Sequence, residues 1–288
     1  MSLDGNHVRH RVFSGARRAP ILPVFILTIF IGTAILAPWI APHPSTAVNL
    51  SQSLRPPAWQ GGTMDHILGT DKLGRDILSR VVYGSRVSLV VAALAIGISG
   101  VIGVTLGTLA GYRRSWTELL VMQLVDIGLS VPMILLALLF AVLWGPQFSN
   151  LLLVIVLTQW ALYARQAHAE TLSLKERDYV LAARALGGSQ ARLLIVHIFP
   201  NLVNSMIILA TLQIAQVVLI EASLSFLGVG IPPPTPAWGL MIADGRGLLV
   251  QAWWVSTMPG VALSLIVLSA NMVGDSIRDY LDPTLRHR

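Results

Sequence analysis

Residues 69–76 have the glycine spacing of a phosphate-binding loop. They read Gly-Thr-Asp-Lys-Leu-Gly-Arg-Asp. A phosphate-binding loop follows its second glycine with a lysine for the phosphates and a Ser or Thr hydroxyl for Mg²⁺. Arg75 and Asp76 stand at those two positions here, and the Asp76 carboxylate would repel a phosphate. The segment therefore predicts no nucleotide site in this chain.

Other reactive side chains are few and dispersed. The absence of cysteine excludes disulfides, thiol catalysis and thiolate metal sites. The seven histidines are scattered along the chain, and no two of them stand four residues apart within an apolar stretch. No nucleophile–base pair assembles within the apolar stretches either. We therefore expect no metal site and no catalytic site, and an enzyme acting inside the membrane is disfavoured.

The composition indicates a membrane protein. Hydrophobic residues make up 54% of the 288 residues and charged residues only 12%, whereas soluble domains carry roughly 25% charged residues. So few charges cannot cover a water-facing surface, which excludes a soluble globular domain and a disordered chain. The net charge is +6, but the basic residues lie between apolar runs rather than on one face, so no nucleic-acid partner is expected.

Apolar stretches at 21–42, 87–112, 127–164, 198–220 and 247–274 are long enough to cross a bilayer, which takes roughly 20 residues. The stretch 127–164 is too long for one crossing and contains Trp144-Gly145-Pro146-Gln147. We divide it into helices at about 118–143 and 150–165. The predicted fold class is an all-α membrane protein with six transmembrane helices.

Basic residues set the predicted orientation. With the N-terminus in the cytosol, fourteen of the 20 Lys and Arg residues lie on the cytosolic side, as the positive-inside rule requires. Both termini are therefore placed in the cytosol. The predicted segments are a cytosolic tail (1–20), a first transmembrane helix (21–42), an extracytoplasmic loop (43–86), a five-helix core (87–277) that includes a cytosolic loop (166–200), and a cytosolic tail (278–288).

Two outer segments are predicted in more detail. Ile77, Val81, Val82 and Val87 recur at helical spacing, so a short amphipathic helix is expected from about Asp71, lying on the outer surface before the second transmembrane helix. Residues 228–246 contain four prolines and are predicted to form an outer loop.

The cytosolic loop 166–200 is predicted to contain two short helices. The first runs from Glu176 to Gly187, and the Gly187-Gly188 pair ends it. Ser189 can cap a second helix from Gln190 to Phe199, which Pro200 terminates. A glycine corner between two helices makes a rigid projection that a partner protein could grip; alternatively, the loop folds against its own transmembrane helices.

Polar residues within the apolar stretches leave two interpretations open. Asp126 either lines a path through the membrane or pairs with Arg113 or Arg114, because an ionised side chain at that depth is costly unless it faces water or a partner. Gln159, Gln213 and Gln216 could line a polar path or hydrogen-bond between helices. Glu221 is placed near the outer boundary, where a charge costs little and needs no special explanation. Separately, Gly103, Gly107 and Gly111 form a G-x-x-x-G repeat, which predicts close helix packing.

The segment Leu181-Ala182-Ala183-x3-Gly187-x9-His197-Ile198-Phe199-Pro200 resembles the EAA loop of permease subunits in bacterial ATP-binding cassette (ABC) importers. The family pattern is E-A-A-x3-G-x9-I-x-L-P, and this chain departs from it at Leu181, His197 and Phe199. His197 to Asn201 is closer to the H-I-L-P-N form of the dipeptide/oligopeptide/nickel branch. Residues 66–76, 224–228, 236–239 and 271–279 are also similar to the C-type permease of that branch.

The resemblance implies a type I ABC importer permease in the bacterial inner membrane that is not itself an enzyme. Its expected partners are a second homologous permease, two ATPase subunits, an extracytoplasmic binding protein that meets 43–86 and 228–246, and membrane lipid. ATP and Mg²⁺ are bound by the ATPase subunits, so no cofactor is expected in this chain. The implied cargo is a dipeptide or oligopeptide; alternatives are nickel or another small solute, or a stand-alone ion-coupled transporter. The residues implied to contact the ATPase are Tyr179, Ala182, Ala183, Arg184, Leu186 and Gly187.

Overall fold

The computed structural model describes residues 20–113 and 115–281, and nearly all of its regular structure is helical. The predicted tails 1–20 and 278–288 fall largely outside this range. The nine main helices within these two ranges are α1 (Ile21–Ile40), α2 (Ile77–Arg113), α3 (Trp116–Ser130), α4 (Met133–Trp144), α5 (Phe148–Leu174), α6 (Asp178–Ala185), α7 (Gln190–Phe226), α8 (Trp238–Gly245) and α9 (Trp254–Leu281).

Five described helices, α1, α2, α5, α7 and α9, are long and apolar enough to cross a membrane. Helices α3 and α4 meet the same test only as a pair, which is bent by 85°. Counted as one broken crossing, the pair brings the total to the six that were predicted. The expectation of a single helix over 118–143 is wrong because of Pro132. A residue that precedes proline is pushed out of the helical region, and Val131 has an extended ψ of 121°.

The predicted surface helix before the second crossing does not exist as a separate element. Helix α2 runs unbroken for 37 residues from Ile77, about 55 Å at 1.5 Å per residue. Asp76 caps its first turn, since Asp76 Oδ2 accepts hydrogen bonds from the Ser79 backbone N–H at 2.8 Å and the Ser79 hydroxyl at 2.7 Å. No glycine pair or proline follows that could end the helix, and Ile77 and Arg80 are buried.

Pro200 does not terminate a helix as predicted. Helix α7 continues through it and is 37 residues long in all, and residues Leu193–Ile198 form a π-helical turn just before it. A proline in a regular α-helix would collide with the carbonyl four residues earlier and leave it unpaired. The wider π turn changes that spacing, and the Phe199 N–H bonds to the Leu194 carbonyl five residues earlier.

The glycine repeat packs α2 against α5, which confirms the predicted close helix contact. A Cβ atom on Gly103 would lie 2.3 Å from the Trp160 carbonyl oxygen, and one on Gly107 would lie 2.2 Å from that of Ala164. Gly111 likewise approaches His168 and Thr171. Only glycine allows the two backbones this close.

The two ends of the bundle are built differently. At one end, called the α8 end, the loop 41–76 packs on α8 and on the start of α2. Arg75 Nε donates to Asp71 Oδ2 at 2.6 Å, and Arg80 and Asp244 join the same cluster of charges. The predicted outer loop 228–246 therefore contains a helix, α8, whose Trp238 is buried and donates from Nε1 to the Val81 carbonyl at 3.0 Å. Helix α6 lies at the opposite end.

Candidate functional site

Helix α6 is short, and glycines form its C-terminal cap. Gly187 has φ of +80°, a conformation that glycine adopts without strain. The Gly188 N–H bonds to the Ala183 carbonyl and the Gly187 N–H to the Arg184 carbonyl, each at 3.0 Å. This pair of bonds is the Schellman motif, which satisfies carbonyls that the helix end would leave free. The next helix starts at once, with Ser189 Oγ accepting from the Arg192 N–H at 3.3 Å. The predicted glycine corner is confirmed.

A few contacts hold α6 to the bundle. Val180 is fully buried, and the Arg184 guanidinium lies 5.9 Å from the centre of the Tyr112 ring at the end of α2. The Tyr179 ring lies 6.4 Å from that of His197 in α7. Just before α6, Lys175 Nζ donates to the Gly111 carbonyl at 2.7 Å. Helix α6 is thus fixed in direction by α2, α5 and α7 together.

The outer surface of α6 is exposed and largely apolar. Leu186 is 89% exposed, and Tyr179 and Leu181 are each 40% exposed. Ala182 is also exposed, Ala183 is half-buried, and a Cβ on Gly187 would meet no atom within 4 Å. The structure therefore brings all six predicted ATPase-contact residues into one short, accessible segment. An exposed apolar strip on a rigid helix is typical of a protein-docking surface.

A cavity of about 780 Å³, most of whose lining residues have polar side chains, opens near α6. It lies between α5 and α7, with Arg278 of α9 at its edge, and its charged groups are Glu170, Arg177 and Arg278. Sequence reasoning missed it. The sequence signal for it was the helical spacing of Asn201, Asn204 and Ser205 along α7 and of Gln166 and Glu170 along α5. In the structure, the side chains of Gln166 and Glu170 form a hydrogen bond of 2.7 Å.

None of the four residues predicted for a path lines this cavity. Asp126 forms an ion pair with Arg165 of α5, and both side chains are at least half exposed. The expected partner Arg113 is therefore wrong, and Arg114 lies outside the described residues. Gln159 and Gln213 are buried, while Gln216 is exposed.

The expectation that Glu221 needs no special explanation is wrong. Its side chain is fully buried in α7. It accepts hydrogen bonds from the hydroxyls of Ser88 at 2.7 Å and Ser225 at 2.9 Å. A buried carboxyl group needs such donors, so Glu221 ties α7 to α2.

Histidines that are distant in sequence are adjacent in space. The ring centroids of His43 and His66 are 4.7 Å apart. Each of these two residues and Asp76 offers one atom that could bind a metal, and the three atoms lie within 4.8 Å of one another. The positions of the histidines in the sequence did not reveal this cluster, because His43 and His66 come together only when the loop between α1 and α2 folds.

The bundle defines a polytopic membrane protein with a short, exposed helix, α6, at one end. The chain belongs to the family described as "binding-protein-dependent transport system inner membrane component", whose profile matches residues 103–287. It is accordingly a multi-pass protein of the bacterial inner membrane and a permease subunit of an ABC transport system.

Curated relatives align over most of the chain. It is 43% identical over 262 residues to the dipeptide transport system permease protein of Escherichia coli K12, covering 91% of this chain and 87% of that protein. It is 38% identical to the di/tripeptide transport system permease protein of Pseudomonas aeruginosa, covering 92% and 88%. It is also 38% identical to the dipeptide transport system permease protein of Haemophilus influenzae, covering 95% and 93%.

Proposed function

We propose that this chain forms half of the translocation pathway of an ATP-driven peptide importer, and that α6 docks on an ATPase subunit. The exposed, glycine-capped α6 is the observation that carries the proposal. The named activities of the relatives support a dipeptide or oligopeptide as cargo. The proposed assembly contains a second homologous permease, two ATPase subunits that bind ATP and Mg²⁺, and an extracytoplasmic binding protein. This chain contributes no catalytic group.

The coupling role follows from how α6 is attached. A displacement of α6 passes directly into α7, since only Leu186 to Ser189 separate the two helices and the Schellman bonds fix their angle. Helix α7 is continuous through Pro200, so the displacement tilts the helix as a whole. A flexible loop would absorb the same movement. Tyr179, Ala182, Ala183, Arg184, Leu186 and Gly187 are the proposed contact residues.

The proposed path runs along the faces of α3, α5 and α7 that the single chain leaves open. Asp126 and Arg165 support this, because an ion pair facing lipid would be costly and these side chains are exposed in the isolated chain. The cavity beside Glu170 supplies a polar exit near α6. Gln216 is exposed and joins the proposed lining. Gln159 and Gln213 remain predicted lining residues, although their burial favours packing between helices.

The docking proposal is tested by cross-linking in the assembled complex. The chain has no cysteine, so Ala183→Cys introduces the sole thiol and can be paired with cysteines along the groove of the ATPase. We expect a cross-link whose yield changes when ATP binds. Val250→Cys is the matched control, since Val250 is 99% exposed at the α8 end and should give no product. Cross-linking from Val250 but not from Ala183 would reverse the assignment.

The cargo proposal is tested with the complete complex in liposomes. We expect ATP-dependent uptake of a labelled dipeptide that unlabelled dipeptides suppress and Ni²⁺ does not. Suppression by Ni²⁺ with no dipeptide uptake would replace peptide by metal as the cargo. Gradient-driven uptake by this chain alone, without ATPase subunits, would contradict the ABC mechanism and favour an ion-coupled transporter.

A further inference from the structure

Three metal-binding side chains converge at the α8 end, away from α6 and the cavity. His43 follows α1, His66 ends a short 3-10 turn (Met64–His66), and Asp76 caps α2. One ligand atom from each lies within 4.8 Å of the others. His66 and Asp76 are buried and His43 is half-buried. Three separate chain segments thus meet through side chains that commonly bind metals.

The cluster borders an open space. A cavity of about 280 Å³ is lined by His43, His66 and Asp76, and also by Gln52 and Asp65. The share of one water molecule in liquid is about 30 Å³, so the cavity can hold an ion with water and gives the ion a route in. The same residues that form the cluster therefore form an accessible site.

Each ring nitrogen of His66 faces an oxygen. Nδ1 lies 3.0 Å from Asp76 Oδ1, and Nε2 lies 2.5 Å from Gln52 Oε1. His43 Nε2 lies 2.7 Å from the Asp65 carbonyl oxygen. A neutral imidazole has only one N–H to donate. A cation between His66 Nδ1 and the Asp76 carboxylate would bind both groups at once and leave the remaining N–H for Gln52.

We propose that His43, His66 and Asp76 bind one divalent transition-metal ion, with water in the remaining coordination position. Two imidazole nitrogens and a carboxylate suit Zn²⁺, Co²⁺, Ni²⁺ or Cu²⁺, whereas Mg²⁺ and Ca²⁺ prefer oxygen ligands alone. Bond lengths of about 2.0–2.1 Å in a tetrahedral site place ligand atoms about 3.4 Å apart. The ligand atoms must therefore approach by up to about 1.4 Å, which requires the half-buried His43 side chain to rotate when the ion binds.

A bound ion would fasten the segment after α1 to the start of α2. His43 already holds this junction, since its backbone N–H bonds to Ser79 Oγ at 3.0 Å. The ion would add a link from this junction to His66 and so stiffen the loop 41–76. The site is independent of the proposed cargo and of the ATPase contact.

The test measures Zn²⁺ binding by the purified full-length chain in detergent, made without a histidine tag. The parent carries Gln in place of His7, His10 and His287, which lie outside the described residues. Free Zn²⁺ is set by a chelator, and bound metal is measured after equilibrium dialysis. We expect one equivalent in the parent. His43→Gln should weaken binding by at least about 100-fold, the upper end of what loss of even an outer-shell partner costs.

His168→Gln is the matched control, since His168 pairs with Glu118 at 2.8 Å on a different part of the bundle. It should retain one equivalent. His66→Gln tests the buried ligand, and Zn²⁺ should raise the unfolding temperature of the parent but not of His43→Gln. If the parent binds no Zn²⁺ at micromolar free metal, or if His43→Gln binds as tightly as the parent, the cluster is a hydrogen-bonded junction only and the proposal fails.

Discussion

Gly107→Ala should destabilise the chain because Gly107 lies where α2 and α5 touch. The added Cβ would lie 2.2 Å from the Ala164 carbonyl oxygen and 2.9 Å from its carbonyl carbon, whereas ordinary contact begins at 3.4 Å. The helices must therefore separate locally by about 1 Å. A gap of that size removes a quarter to a half of the ~0.1–0.2 kcal/mol in each atom contact. Over roughly 40 atom pairs, as many as one buried Leu side chain makes, the loss is about 2 kcal/mol.

Gly97→Ala is the matched control in the same helix. A Cβ on Gly97 would meet no atom within 4 Å, so this change gains helix propensity, up to about 1 kcal/mol, without a collision. Because Gly107→Ala gains the same propensity, the difference between the two variants isolates the packing loss. We expect that difference to be about 2 kcal/mol, or roughly 30-fold in the unfolding equilibrium at 1.4 kcal/mol per tenfold.

The assay is reversible unfolding of the chain in mixed detergent micelles, followed by tryptophan fluorescence. Gly107→Ala should unfold at a lower denaturing-detergent fraction than the parent, and Gly97→Ala at an equal or higher one. If the two variants agree within about 0.5 kcal/mol, the usual range for surface changes, then α2 and α5 do not pack through Gly107 and the glycine argument is refuted.

Substitutions at three further positions probe other contacts. Gly187→Val should lower ATP-coupled uptake because a β-branched residue is strained at φ of +80°. Gly187→Asn should keep most of the uptake because asparagine tolerates this conformation better. Equal uptake by the two variants would remove the case for a fixed corner. Glu221→Leu should lower the free energy of unfolding by about 1–3 kcal/mol in the same micelle assay, because the Ser88 and Ser225 hydroxyls lose their acceptor. Glu221→Gln should lower it less. Trp238→Phe should cost about 1 kcal/mol there by removing the bond to the Val81 carbonyl.

Local signals in the sequence predicted the membrane crossings and the α6 corner well. Twenty apolar residues in a row, or a glycine pair followed by a serine cap, have few structural alternatives. The errors came where neighbouring structure changes the effect of a residue. Pro132 breaks a crossing, yet Pro200 does not end a helix, because a π turn precedes it. The periodicity after Ile77 marked a helix correctly, but nothing local shows that this helix continues into the membrane.

The missed contacts are tertiary. His43 and His66 are adjacent only because the loop 41–76 folds back on itself, and no periodicity joins positions so far apart in sequence. Glu221 looked inexpensive at a boundary, and its two serine partners include one from α2, far away along the chain. For Asp126 the cost of a membrane charge predicted either a place on the path or a partner, and the identity of the partner, Arg165, depends on how α3 packs on α5.

The unequal construction of the two ends bears on how the subunit would move. At the α8 end, the buried charges of Asp71, Arg75 and Arg80 would be left uncompensated if the elements separated, and loss of one partner of a buried pair costs about 3–5 kcal/mol. At the other end, the cavity of about 780 Å³ lies between α5 and α7, so these helices do not pack against each other there. A force applied to α6 therefore meets the least resistance at the end of the bundle where the cavity opens. We expect α5 and α7 to pivot about the α8 end while their ends beside the cavity separate.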